Sequence, residues 1–265
     1  MPLPLFSVTN DPGSSFERLL GAAGVARDAH EHQGDALPHA TTVVALRCQG
    51  GVVLCADRQA STGQISGRDM HKIGEADRHT AIAISGVAAV GMQFIKLAQL
   101  SFEHYEKMRG TSLSLGGKAN YLGPIIMRNN FGTGLTVVPL LAGYDLNHDQ
   151  GRVYGYDAAG GCYEKDDFAV IGSGTPFAEG ALRLGFREDM TLDDALDLAA
   201  LAIYEAGDND LYTGGPDFVR DLYPILVTVT VDGFQELSQT QSKERFAAIQ
   251  ERRTSTKGRA GGELR

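Results

Sequence analysis

The feature that most constrains this chain is an abrupt change of character at Thr41. From there TTVVALRC runs into GGVVLCAD, two β-branched stretches separated by Gln49-Gly50-Gly51. Branching at Cβ restricts χ1 and suits a pleated, packed surface, so both stretches are expected to be strands. The glycine-bearing junction makes them an antiparallel hairpin. Ahead of Thr41, residues 1–40 are rich in Pro, Gly, Asp, Glu and His and carry one apolar cluster around Phe16, Leu19 and Leu20. A short helix is expected at that cluster, within an otherwise loosely ordered leader.

Downstream of the hairpin, Thr80 to Ser85 reads as a strand ending at Gly86. Val90, Phe94 and Leu97 then lie beside Gly91, Ile95, Ala98, Phe102 and Tyr105, two adjacent rows at helical spacing. A second helix is expected over 115–130, kinked or split at Pro124. Strands are expected at Val137–Tyr144, Arg152–Asp157, near Cys162 and at Phe168–Ile171. Helices follow at 175–186 and 191–206, the latter with Thr191 as N-cap, and Pro224–Val231 closes the core as a strand. Strands, two helices, strands, two helices and a strand suit two packed sheets with a helical layer outside each. Beyond Ser238 the chain turns polar, and 239–265 is expected to be a C-terminal helix or disordered tail, with RRTSTKGRAGGELR disordered.

A net charge of -9 argues against nonspecific binding to nucleic acid, which depends on clustered Lys and Arg. No apolar run approaches the roughly 20 residues needed to cross a bilayer, and the N-terminus lacks the basic and apolar regions of a secretory signal. The three cysteines, Cys48, Cys55 and Cys162, have no CxxC spacing, so neither a disulfide framework nor a zinc site is suggested. With no HExxH, no metal and no cofactor is expected, and a cytoplasmic setting fits.

Three features could carry chemistry: the Thr41-Thr42 pair opening the ordered domain, Asp57 at the end of the second strand, and glycine-flanked hydroxyls. Each has a plain structural reading, as a strand residue, a turn residue or a loop. Gly172-Ser173-Gly174 lacks both the Gly-Lys-Ser/Thr of a phosphate loop and the Gly-x-Ser-x-Gly of a nucleophile elbow.

The combination is more specific. Thr41-Thr42-Val43-Val44-Ala45-Leu46, Gly51-Val52-Val53-Leu54-Cys55-Ala56-Asp57-Arg58 and Ser66-Gly67-Arg68-Asp69-Met70-His71-Lys72-Ile73 resemble, in register, the opening of proteasome β subunits. The resemblance continues through Ser85-Gly86-Val87-Ala88-Ala89, Leu140-Leu141-Ala142-Gly143-Tyr144-Asp145, Gly172-Ser173-Gly174 and Asp210-Leu211-Tyr212-Thr213-Gly214-Gly215. Ser66–Asp69, Asp157-Ala158-Ala159-Gly160-Gly161 and Thr213–Arg220 look most like the actinobacterial type.

The resemblance implies an α+β, four-layer αββα sandwich of the N-terminal-nucleophile hydrolase type. It divides the chain into a propeptide of residues 1–40, a catalytic domain of 41–238 and the C-terminal segment. Cleavage between Ala40 and Thr41 would free the Thr41 amine, which can accept the proton of its own hydroxyl. By the same mapping Asp57 and Lys72 form a buried pair beside Thr41, while Ser173, Asp210 and Thr213 hydrogen-bond around the new amino terminus. The Gly86 N–H stands at the oxyanion position. Which group takes the proton first stays open at this level.

Main-chain pairing with substrate is implied around Ser61 and Gly86–Ala88, and Ala60, Met70, Ile84 and Ala88 would line an apolar primary pocket that favours cleavage after hydrophobic residues. The implied partners are other β subunits in a heptameric ring, proteasome α subunits in an α7β7β7α7 barrel, a ring-shaped unfoldase ATPase, and substrates tagged by a prokaryotic ubiquitin-like protein. Departures from the family pattern are Ala40 for glycine, Gln59 for arginine, Val90 for aspartate, and a Gln59–Ile65 segment one residue short, which places Lys72 across a small gap. Two other readings are a catalytically silent ring-forming subunit and an amidohydrolase of the same fold acting on small amides.

Overall fold

The computed structural model describes residues 41–62, 65–67, 69–133 and 136–260. The expected propeptide and its short helix lie outside these residues. Thr42–Cys48 (β1) and Gly51–Ala56 (β2) form the expected hairpin, in register from Val43↔Ala56 to Cys48↔Gly51. They are the centre of a five-stranded antiparallel sheet completed by Ile225–Thr230 (β11), Gly233–Glu236 (β12) and Phe168–Gly172 (β10), in the order β10-β1-β2-β11-β12. A short ribbon pairs Ala60–Thr62 (β3) with Ile65–Gly67 (β4). The second sheet runs β5-β6-β7-β8-β9, from Ile73–Asp77, Thr80–Gly86, Val137–Asp145, Gln150–Tyr156 and Cys162–Lys165.

Both sheets are covered on two faces. Val43, Ala45, Val52 and Leu54 meet Ala81, Ala83, Leu140 and Ala142 across the inter-sheet core. The alternate residues Val44, Leu46, Val53 and Cys55 point the other way, into a layer formed by Thr175–Gly185 (α3), Leu192–Asn209 (α4) and Gln239–Ala260 (α5). Outside the second sheet, Ala88–Arg109 (α1) and Leu115–Thr133 (α2) bury Phe94, Ile95, Phe102, Leu122 and Ile126 against Ile82, Ile84 and Leu141. Burial on both faces explains why the strands read as continuous apolar runs rather than as alternating ones. The layering is therefore the αββα sandwich expected from the sequence.

Two expectations change. Pro124 does not split α2: it sits on the exposed side, and the carbonyl it leaves without an amide partner is that of Asn120, also exposed and open to water. The polar segment beyond Ser238 is helical through Ala260 rather than disordered from Arg252. Phe246 and Ile249 anchor this helix in the core. Arg245 pairs with Asp193 and Asp197, and Arg253 with Glu205 and Asp208, all four carboxylates lying on α4. Ion pairs stand in for the wide apolar stripe that a helix of this length otherwise shows.

Candidate active site

Thr41 lies directly before β1 and is 4% exposed. Its carbonyl accepts the Ser173 N–H at 3.0 Å, which ties the start of β1 to the end of β10. That approach requires Gly172, whose φ is +111° and whose missing Cβ would stand 1.8 Å from the Thr41 carbonyl oxygen. A side chain at this point would force the two strand ends apart.

Asp57 directly follows β2 and is fully buried. Its Oδ1 accepts Lys72 Nζ at 2.6 Å and the Thr42 N–H at 2.9 Å, while Oδ2 accepts the N–H groups of Gln59 and Gly214, each at 3.0 Å. Lys72, 1% exposed and directly before β5, also donates to the Gln59 carbonyl at 2.5 Å. Burial pushes the Asp57 carboxyl up and the Lys72 ammonium down from their ordinary values, and their ion pair opposes both shifts. A lysine so placed releases a proton more readily than one in water. The one-residue shortening before Lys72 does not displace it from Asp57.

On the opposite side, Asp210 caps the C-terminus of α4, where the helix dipole disfavours a carboxylate. Its Oδ2 accepts the hydroxyls of Ser173 and Thr213, each at 2.5 Å. Thr213 Oγ1 in turn lies 2.5 Å from Thr42 Oγ1. Thus Asp57 and Lys72 form one group, Ser173, Asp210 and Thr213 form a second, and Thr42 touches both. Little in the sequence singles out Thr42, the Gln59 carbonyl or the Gly214 amide. The doubled threonine was the only signal for the first, and backbone groups carry none.

Gly86, the last residue of β6, has φ +115°, and a Cβ there would stand 2.3 Å from the Thr136 carbonyl oxygen. Gly86→Ala is expected to cost about 1–3 kcal/mol, seen as a melting temperature lowered by several degrees; an unchanged melt would show that the loop relaxes freely. Val87 is extended and Ala88 is the first residue of α1. Met70 and Ile84 belong to the same apolar cluster, and Ile84 is pinned by Gly91 of α1. Ala60 opens β3, and Ser61 pairs with Ser66 of β4.

Comparison with known proteins places this geometry in a family. Residues 37–218 match the Proteasome family, described as proteasome subunit. The chain is 45% identical over 220 residues to the proteasome subunit beta of Streptomyces griseus, covering 82% of this chain and 78% of that protein. It is 44% identical to the proteasome subunit beta of Streptosporangium roseum, covering 94% and 92%, and 42% identical to the proteasome subunit beta 2 of Thermomonospora curvata, covering 92% and 89%. Similarity of this extent, running through both sheets and the residues around Asp57, means that the chain belongs to the proteasome subunit family and is of its β type.

Proposed function

We propose that this chain is a self-processing threonine endopeptidase, the catalytic β subunit of a 20S proteasome core, with Thr41 as nucleophile. The observation that carries the reading is the buried Lys72–Asp57 pair, joined through the Thr42 N–H to the residue next to Thr41. A structural ion pair so deeply buried is a weak source of stability, whereas a proton-handling site needs these two groups out of water.

In processing, Thr41 Oγ attacks the Ala40 carbonyl carbon as its hydroxyl proton passes to the basic side of the site. The Ala40–Thr41 C–N bond then breaks, and the departing Thr41 nitrogen takes up a proton. The ester left on Oγ is hydrolysed by water, giving the Ala40 carboxylate and a free Thr41 bearing both nucleophile and base. Substrate cleavage repeats the sequence: Oγ attacks the scissile carbonyl, the proton moves by way of the Thr41 amine to the leaving nitrogen, and water releases the acyl group. Lys72 supports the developing charge, Asp57 fixes Lys72, and the Gly86 N–H would meet the oxyanion.

Substrate would lie in extended form between β3 and the Gly86–Ala88 segment. The unpaired side of a two-stranded ribbon such as β3-β4 accepts an added strand. Ala60, Met70, Ile84 and Ala88 give the primary pocket no charge to offer, so a fluorogenic peptide panel is expected to show at least about 10-fold preference for hydrophobic over basic residues before the cut. Preference for basic residues would refute the pocket.

The subunit would work in a heptameric β ring, packed against α subunits in an α7β7β7α7 barrel in the cytoplasm. An unfoldase ATPase would deliver chains through the α ring, some tagged by a ubiquitin-like protein. The largely apolar groove between α1 and α2 supports burial by a neighbour: beside Ser101 and Arg128 it is lined by Leu97, Tyr121, Pro124, Ile125, Met127 and Phe131, of which Phe131 is 74% exposed. The direct test is the intact mass of the chain purified with and without co-expressed α subunit. Loss of residues 1–40 from the assembled wild type is expected, and a full-length mass in assembled particles would favour a silent subunit.

A further inference from the structure

Thr42 is fully buried and makes polar contacts on three sides. Its N–H donates to Asp57 Oδ1 at 2.9 Å. Its Oγ1 accepts the Gly174 N–H at 2.9 Å and lies 2.5 Å from Thr213 Oγ1. A hydroxyl has one proton, so the direction of this contact follows from its ends. Thr213 gives its proton to the Asp210 carboxylate, and Gly174 can only donate. Thr42 must therefore donate to Thr213, and the order is Gly174 N–H to Thr42, Thr42 to Thr213, Thr213 to Asp210.

We infer that Thr42 is a positioning residue that locks the Lys72–Asp57 group to the Ser173–Asp210 group and so fixes Thr41 between them. The inference deepens the threonine-protease reading and rests on it. Asp57 enters from β2, Asp210 from the end of α4 and Ser173 from the turn after β10, and Thr42 contacts or is linked to all three from the residue adjoining Thr41. Valine would keep the branched shape in β1 but offer no proton to Thr213 and no acceptor to Gly174. The methyl-for-hydroxyl exchange frees Asp210 to draw Thr213 and Ser173 elsewhere, and a displaced amine or hydroxyl at Thr41 reacts more slowly.

The test compares assembled particles carrying Thr42→Val, Thr42→Ser, Thr213→Val and the Thr42→Val/Thr213→Val double change with wild type and with Thr41→Ala. For Thr42→Val, kcat on a hydrophobic fluorogenic peptide is expected to fall roughly 10-fold or more with KM unchanged, and Thr42→Ser is expected to recover most of it. The two valine changes cut the same chain, so the double variant should lose about as much as the worse single one, not the product. Melting temperatures identify variants that merely fold badly, in which case Thr213→Val cuts the same contact from the other side. Wild-type kcat in Thr42→Val or Thr213→Val, or full multiplication of the two losses, overturns the inference while Thr41-dependent hydrolysis stands. If Thr41→Ala is as active as wild type, the underlying reading falls and the inference with it.

Discussion

Thr41→Ala is expected to leave residues 1–40 attached in every assembled particle and to lower peptide hydrolysis by at least roughly 10⁴-fold, because it removes the hydroxyl that would form the covalent intermediate in the proposed mechanism. The fold should be nearly indifferent. Thr41 is buried, and its carbonyl, which accepts the Ser173 N–H and ties it to the sheet, is retained by alanine. The melting temperature of the variant is therefore expected within a few degrees of the wild type. Mass spectrometry and turnover of a fluorogenic peptide read the two losses separately. A Thr41→Ala chain that still sheds its leader would mean cleavage by another protease, and one that still hydrolyses peptide would place the nucleophile elsewhere. Thr41→Ser keeps both hydroxyl and amine and should process and turn over, which separates loss of chemistry from loss of packing.

The second large effect concerns the buried pair. Lys72→Met is expected to reduce turnover by roughly 10³-fold or more and to destabilise the subunit by about 3 kcal/mol, since it strands a carboxylate away from water. Asp57→Ala should cost more, about 5 kcal/mol, because it takes the counter-charge from the buried ammonium and the carboxylate acceptor from the N–H groups of Thr42, Gln59 and Gly214. Asp57 keeps three amide donors when Lys72 is lost, whereas loss of Asp57 takes from Lys72 its opposite charge and leaves it the neutral Gln59 carbonyl. Thermal melts of the isolated subunit should therefore rank wild type above Lys72→Met and Lys72→Met above Asp57→Ala. The reverse order would mean that the backbone amides find other partners. Activity should be lost in both variants whatever the order.

Much of the fold was legible because its strands are short, β-branched and separated by glycine turns. The hairpin of β1 and β2 and the capped helix α4 were read from local chemistry, and the Thr191 side chain accepts the Asp194 N–H as an N-cap should. The elements missed are those with little local signal. IGEAD in β5 is strand-like only because it pairs with β6, and GFQE in β12 only because it pairs with β11. The last helix was underestimated for a related reason: two buried apolar residues and a row of ion pairs to α4 hold it, and neither registers as a periodic stripe.

By itself the sequence determined most of the strands and helices of the layered architecture, because β-branched runs, caps and glycine turns act over a few residues, while the set of residues expected around Thr41 came from the family resemblance. Tertiary structure alone decided how those residues are wired. Asp57 and Gly214 lie 157 positions apart, and Thr42 and Thr213 lie 171 apart, yet both pairs are hydrogen-bonded. The backbone amides that hold the Asp57 carboxylate have no side chain to mark them, and the direction of the Thr42–Thr213–Asp210 chain depends on one proton per hydroxyl being counted in three dimensions. Closing contacts over such separations requires the first sheet, which sets β1 between β10 and β2, and the apolar layer on its outer face, which packs α4 against the same strands and brings its C-terminus to the site.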